Sequence, residues 1–122
     1  MPKVNATTTD HVDEFPVAID RHSELDGYTV NFVTITADHS LADMLACLPE
    51  GRCWCPHWGY VLKGSMTVTY ADHEETIEAG DAYYLTPGHV PSATAGSEFL
   101  QISPTDAFVE TMQAVQAGMQ QA

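Results

Sequence analysis

Short runs of β-branched and aromatic residues, each closed by glycine or proline, recur from Tyr28 to Ser103 and leave little room for anything but a β-rich domain. "YVLKG" and "SMTVTY" flank Gly64, and in the second run Met66, Val68 and Tyr70 alternate with threonines. "ADHE" then turns the chain and "ETIEAG" returns it, while "DAYYL" and "EFLQIS" give two more strands separated by "TPGHVP" and "TAGS". Upstream, "YTVNFVTIT" (Tyr28 to Thr36) reads as a strand, and "FPVAID" as a short one before the turn-like "SELDG". Strands this short, at hairpin spacing, predict a small β-sandwich or barrel.

Two stretches break the pattern. "DHSLADMLACLP" predicts a short helix near residues 39–48, with Asp38 or Ser40 as cap, Leu41, Met44, Leu45 and Leu48 on one face, and Pro49 as the stop. "SPTDAFVETMQAVQAGMQQA" predicts a C-terminal helix, with Ser103 as N-cap, Pro104 at the first helical position and Asp106 three after the cap. Phe108, Met112, Val115 and Met119 recur along it at helical spacing, a face suited to packing on its own sheet or on a second copy. The whole chain, 1–122, reads as one domain: an arm with an edge strand over 1–27, a barrel over 28–103 and a helix over 104–120.

Composition narrows the partners. The 17 acidic residues against 4 basic ones give a formal net charge of -13, a field that repels phosphate backbones and anionic membranes. Neither nucleic acid nor a membrane is therefore an expected partner. No apolar run approaches the ~20 residues that span a bilayer. The opening "MPKVNATTTDHVDEF" lacks the apolar core of a signal peptide, so a cytoplasmic location is expected. Three cysteines, Cys47, Cys53 and Cys55, are an odd count and form no disulfide framework.

The densest chemistry lies in "CWCPHWGYVLKG", Cys53 to Gly64. Cys53 and Cys55 are two apart and share a face if the strand is regular; His57 follows, and His89 stands in the later "PGH" turn. Thiolate and imidazole are ligands for zinc and other first-row metals. The plainer alternative stays open: free cysteines often fill cores as small apolar residues, and a turn histidine can face solvent. The remaining histidines, His11, His22, His39 and His73, read as surface residues.

"YVLKGSMTV", a hairpin, and then "EAGDAYYLTPGHVP" resemble the two motifs of the cupin superfamily, over roughly Gly51 to Ser103. The resemblance implies a single-domain jelly-roll β-barrel and, commonly, a divalent metal held by two histidines and a glutamate from the first motif and one histidine from the second. Here the glutamate position, seven residues before Gly64, is His57. The two histidine positions fall near Gly51 and Cys53, and the second-motif position at Pro91, two residues past His89. The expected ligands are therefore Cys53, His57 and His89, with Cys55 adjacent or ligating. Zinc is favoured, with iron, nickel or copper also suited to such donors. Trp58, Tyr60, Met66, Tyr84 and Phe99 are expected to line the pocket, with Tyr60 and Tyr84 best placed to offer a hydroxyl. The resemblance implies a homodimer and a protein that acts on, or binds, a small polar organic molecule. A non-catalytic binding or metal- and redox-sensing module is the alternative, and no reaction type follows from the fold.

Overall fold

A computed structural model describes residues 3–120, without the side chains of 119 and 120; residues 1–2 and 121–122, and the side chain of Met119, lie outside the described residues. Ten strands form two sheets. The larger has the order β1 (His11–Glu14), β2 (Ala18–Leu25), β3 (Tyr28–Ile35), β10 (Glu98–Pro104), β5 (His57–Lys63) and β8 (Ala82–Leu85). The smaller runs β4 (His39–Ser40), β9 (Val90–Ala93), β6 (Ser65–Thr69) and β7 (Glu74–Glu78). Every ladder is antiparallel. The sheets face each other as a jelly roll and do not close into one continuous ladder.

Alternation decides which face each strand buries. Val61, Phe99, Tyr83 and Leu85 from the larger sheet meet Met66, Val68 and Ile77 from the smaller, with Ile35 alongside. A second apolar cluster, Leu45, Leu48, Cys53, Cys55 and Val115, sits where the helices cover one end of the sandwich. No helix among the described residues is long and apolar enough to cross a membrane.

Four local expectations are refined or corrected. The short helix expected near residues 39–48 forms as α1 (Ala42–Leu45), shorter than its pattern because His39–Ser40 pairs with β9 and Pro49–Gly51 forms a separate 3-10 turn. Asp38 accepts from the Ala95 N–H at 2.7 Å rather than capping a helix. Ser103 and Pro104 are the end of β10, not a helix start; α2 begins at Thr105 and runs Thr105–Gln120. The N-terminal arm is more ordered than expected: β2 is an interior strand that extends through "SEL", and the turn shrinks to Asp26–Gly27. Both turn residues have positive φ, the conformation a two-residue hairpin needs.

Gly64 joins β5 to β6 with φ +76, and a Cβ there would run into the side chain and backbone of Ser97. Ser97 is itself fixed, accepting from the Ser65 N–H at 3.3 Å and donating to the Ser65 carbonyl at 3.2 Å. The turn therefore has a rigid wall behind it. Gly64→Ala is expected to lower stability by about 1–3 kcal/mol through backbone strain and overpacking. A shift of the urea midpoint checks it, and an unchanged midpoint contradicts it.

Candidate functional site

Three donors from separate stretches meet at the boundary between the two apolar clusters. Cys53 and His89 face each other across an isolated antiparallel bridge. The Cys53 N–H donates to the His89 carbonyl at 3.0 Å, and the Cys53 carbonyl accepts from the Gly88 and His89 N–H groups at 2.8 and 3.3 Å. Paired residues project to the same side, so one backbone contact aims a thiol and an imidazole into the same space. His57 opens β5 opposite Leu85 and turns inward with it. Its ring centroid lies 5.0 Å from that of His89, and its Nε2 3.7 Å from Cys53 Sγ. The ligating atoms of Cys53, His57 and His89 all lie within 4.8 Å of one another, and all three residues are buried.

Each imidazole is oriented through its other nitrogen. His89 Nδ1 donates to the Thr86 carbonyl at 2.7 Å, which leaves Nε2 with a free lone pair. That Nε2 is buried and has no hydrogen-bond partner. His57 Nδ1 bonds Ser103 Oγ at 2.6 Å, holding Nε2 towards Cys53. A backbone carbonyl or hydroxyl behind each ring is the support that metal-ligating histidines generally have.

The donor set suits a divalent cation. Bonds of ~2.0–2.3 Å in a tetrahedral site put donors roughly 3.3–3.8 Å apart, so these three need little movement. Burial pushes His57 down to about 3, with His89 adding to the effect, and burial also lowers His89 against the opposing pull of the Thr86 carbonyl. Burial raises the Cys53 thiol. At neutral pH the cluster is thus two neutral bases and a protonated thiol, and loading a dication would release the thiol proton.

The site opens on a cavity of about 180 Å³. Its walls include Met66, Phe99, Ile35, Leu85, Phe108 and Val115. Trp58, Tyr60 and Tyr84 do not line it. With His57 pointing in, alternation turns Trp58 and Tyr60 out, and the Trp58–Tyr84 cross-strand pair takes Tyr84 with it; the two rings lie tilted at 33° with centroids 4.5 Å apart on the solvent face. No hydroxyl from Tyr60 or Tyr84 reaches the cluster. Cys55 is buried but lies outside the three-residue group, its Sγ 4.0 Å from His57 Nδ1, because residues 53–56 are not a regular strand. Burial and the neighbouring Cys53 push its thiol up to about 12.

Pro91 lines the cavity without offering a donor, and Gly51 belongs to the 3-10 turn. His11 and His73 are exposed as expected, whereas His22 is half-buried and His39 lines the cavity, its Nδ1 2.9 Å from the Ala37 carbonyl. Ser103, read from the sequence as a helix cap, stands behind His57, and the polar wall of Asp20, Asn31 and Gln101 is a feature that sequence reasoning did not single out. Asn31 was detectable: in "YTVNFVTI" it shares the inward face with Thr29, Val33 and Ile35.

Because His57 and His89 bind protons more readily unfolded than folded, metal-free protein is destabilised at acid pH. Their contribution to stability is present above about 6.5 and is lost as pH falls below it, for His57 down to about 3. Urea midpoints of metal-free protein between pH 7 and 4.5 are expected to fall, and less steeply for His57→Gln. Equal slopes in the two proteins contradict the assignment.

No family model and no curated protein sequence matches the chain. Solved structures do. A cupin-2 domain protein from Shewanella frigidimarina is 22% identical over 70% of this chain and 78% of its own, at a TM-score of 0.49. Bacillus subtilis oxalate decarboxylase, a protein with Mn(II) centres, aligns at a TM-score of 0.63 and 18% identity over 83% of this chain. The chain spans only 28% of that enzyme's length. The polyketide cyclase RemF of Streptomyces resistomycificus aligns at 0.60 and 18% identity, over 85% of this chain and 79% of its own. At such identities the latter two speak for fold alone, and the chain has the cupin-like jelly-roll fold that its two motifs led us to expect.

Proposed function

We propose that this protein holds a divalent metal through Cys53, His57 and His89 and binds a small organic molecule beside it. The observation that carries the reading is the buried, unpartnered His89 Nε2 in a cluster whose ligand atoms, with those of His57 and Cys53, lie within 4.8 Å of one another. A buried nitrogen lone pair left without a partner costs about 1–3 kcal/mol, a cost that a metal bond removes. Bound there, a divalent cation supplies Lewis-acid polarisation or an acidified water. One thiolate and two imidazoles favour zinc among the metals this fold can take, and leave a fourth position for ligand or water.

The protein's own groups set the rest. Ser103 and the Thr86 carbonyl fix the two imidazole rings. Leu85, Met66 and Phe99 keep bulk water from the donors, and the cavity delivers a compact molecule to them. Among the described residues lining the cavity the one carboxylate is Asp20, and it is engaged by Asn31. That favours a binding or sensing role over proton-transfer catalysis, since a general base must reach the substrate proton.

Protein purified without added metal is expected to contain about one equivalent of divalent metal per chain, by elemental analysis. His57→Ala and His89→Ala each lose it, and cobalt substituted into the wild type gives a thiolate charge-transfer band that Cys53→Ser abolishes. Metal-free wild type that takes up no cobalt, or variants that keep their metal, sinks the proposal.

A further inference from the structure

Away from the cysteine–histidine cluster the same cavity has a second polar region, built by three strands of the larger sheet. Asn31 on β3 stands opposite Gln101 on β10, and Asp20 lies one inward position along on β2. All three line the cavity. With strands ~4.8 Å apart and a rise of ~3.4 Å per residue, the backbones of Asn31 and His57 are roughly 12 Å apart on the inner surface. Gln101 and Ser103 are successive inward positions on β10, so the two regions adjoin along that strand while Asn31 and Asp20 stand at the far side from His57.

Acceptor oxygens dominate this region, and His22, opposite Asn31 on β2, brings its Nδ1 within 3.9 Å of Asp20 Oδ1. Asn31 is 1% exposed, and its Nδ2 donates to both Asp20 carboxylate oxygens at 2.9 and 3.0 Å. That contact fixes the amide orientation, since the flipped amide would set oxygen against carboxylate. Asn31 Oδ1 is then left buried with no partner. Gln101 Oε1 accepts only a long 3.3 Å bond from the Tyr83 hydroxyl. No lysine or arginine lines the cavity among the described residues, and Asp20 is the one carboxylate there.

We infer that Asp20, Asn31 and Gln101 form a subsite for a primary ammonium group, and that the ligand is a compact amine with an apolar body. An ammonium carries three donors and no acceptor, matching three acceptor oxygens, one of them charged. A carboxylate or phosphate would be repelled. The cavity's size bounds the rest of the ligand: about 150 Å³ of apolar space accommodates a benzene ring, so 180 Å³ admits a ring or short branched chain plus the amine. This assignment rests on the reading that the cavity is the ligand site, but not on the metal.

The test uses the full chain stripped of metal and three probes of one shape: benzylamine, benzyl alcohol and toluene, titrated calorimetrically at neutral pH. Benzylamine is expected to bind at least ~10-fold tighter than the other two, the advantage of a hydrogen bond to a charged group. Asp20→Asn and Asn31→Leu should each remove that advantage while toluene affinity stays within about 2-fold. If Asn31→Leu fails to fold by circular dichroism, Asp20→Asn decides alone. Three probes binding alike, none binding, or an amine preference that survives Asp20→Asn overturns the inference. Metal content of wild type and both variants is measured in parallel. Metal retained with no amine preference defeats this inference and spares the metal site; amine preference in a chain that never takes up metal does the reverse.

Discussion

The backbone bridge between Cys53 and His89 is the contact on which the arrangement of this molecule turns. It ties the irregular 53–56 segment, which belongs to the helical end, to the turn that leads into β9 of the smaller sheet. The bridge adds to the Leu41 N–H bond to the Pro91 carbonyl and to the packing of Val90, which also connect the helical end to β9. With it, a thiol and an imidazole are fixed side by side at the seam, and β5 brings His57 to the same place. The cavity exists because the seam is not filled: Leu45, Cys53 and Val115 from one cluster and Ile35, Met66, Leu85 and Phe99 from the other stand around it.

Burying three polar donors at such a seam carries an energetic cost that packing alone does not recover. The cluster is electrically quiet because burial holds both imidazoles neutral and the thiol protonated. What remains uncompensated is a lone pair on His89 Nε2. The two rings are held by acceptors or hydroxyls on their far sides, so they cannot rotate to find another partner without giving up those bonds. A site this constrained is poised for a ligand that attracts lone pairs, and a dication is the strongest such ligand.

Much of this was legible in the sequence, and the failures have identifiable causes. The alternation around Gly64 and the "PGH" turn marked the strands because both are local patterns, whereas His57 was singled out by the resemblance to the cupin motif, which places a ligand seven residues before Gly64. Trp58, Tyr60 and Tyr84 were misplaced because aromatic character was weighted above the parity that His57 sets; counted from His57, Trp58 and Tyr60 must face away. Ser103 was misread because "SPTD" satisfies a helix start locally, yet the β10 ladder, with partners more than forty residues away, claims Ser103 and Pro104 first. The Asp20–Asn31–Gln101 wall depended on the register of three strands distant in the chain, and no short-range pattern encodes that.

That wall also bears on why the ligand set can depart from the usual one without loss of the fold. The scaffold needs inward positions filled to a given volume; it does not need glutamate or histidine at any of them. Cys53 occupies its position as a small, buried, apolar-tolerant side chain, so the jelly roll is satisfied whether or not the thiol ever meets a metal. Asn31 is different. An amide with one buried oxygen unpaired contributes less to packing than the leucine that would fit there, and its Nδ2 binds a carboxylate that burial itself disfavours. Folding alone gives no reason to keep both groups on the cavity wall. A ligand that brings donors and positive charge to them does, and it would make this end of the cavity, rather than the cysteine–histidine end, the part that selects between ligands.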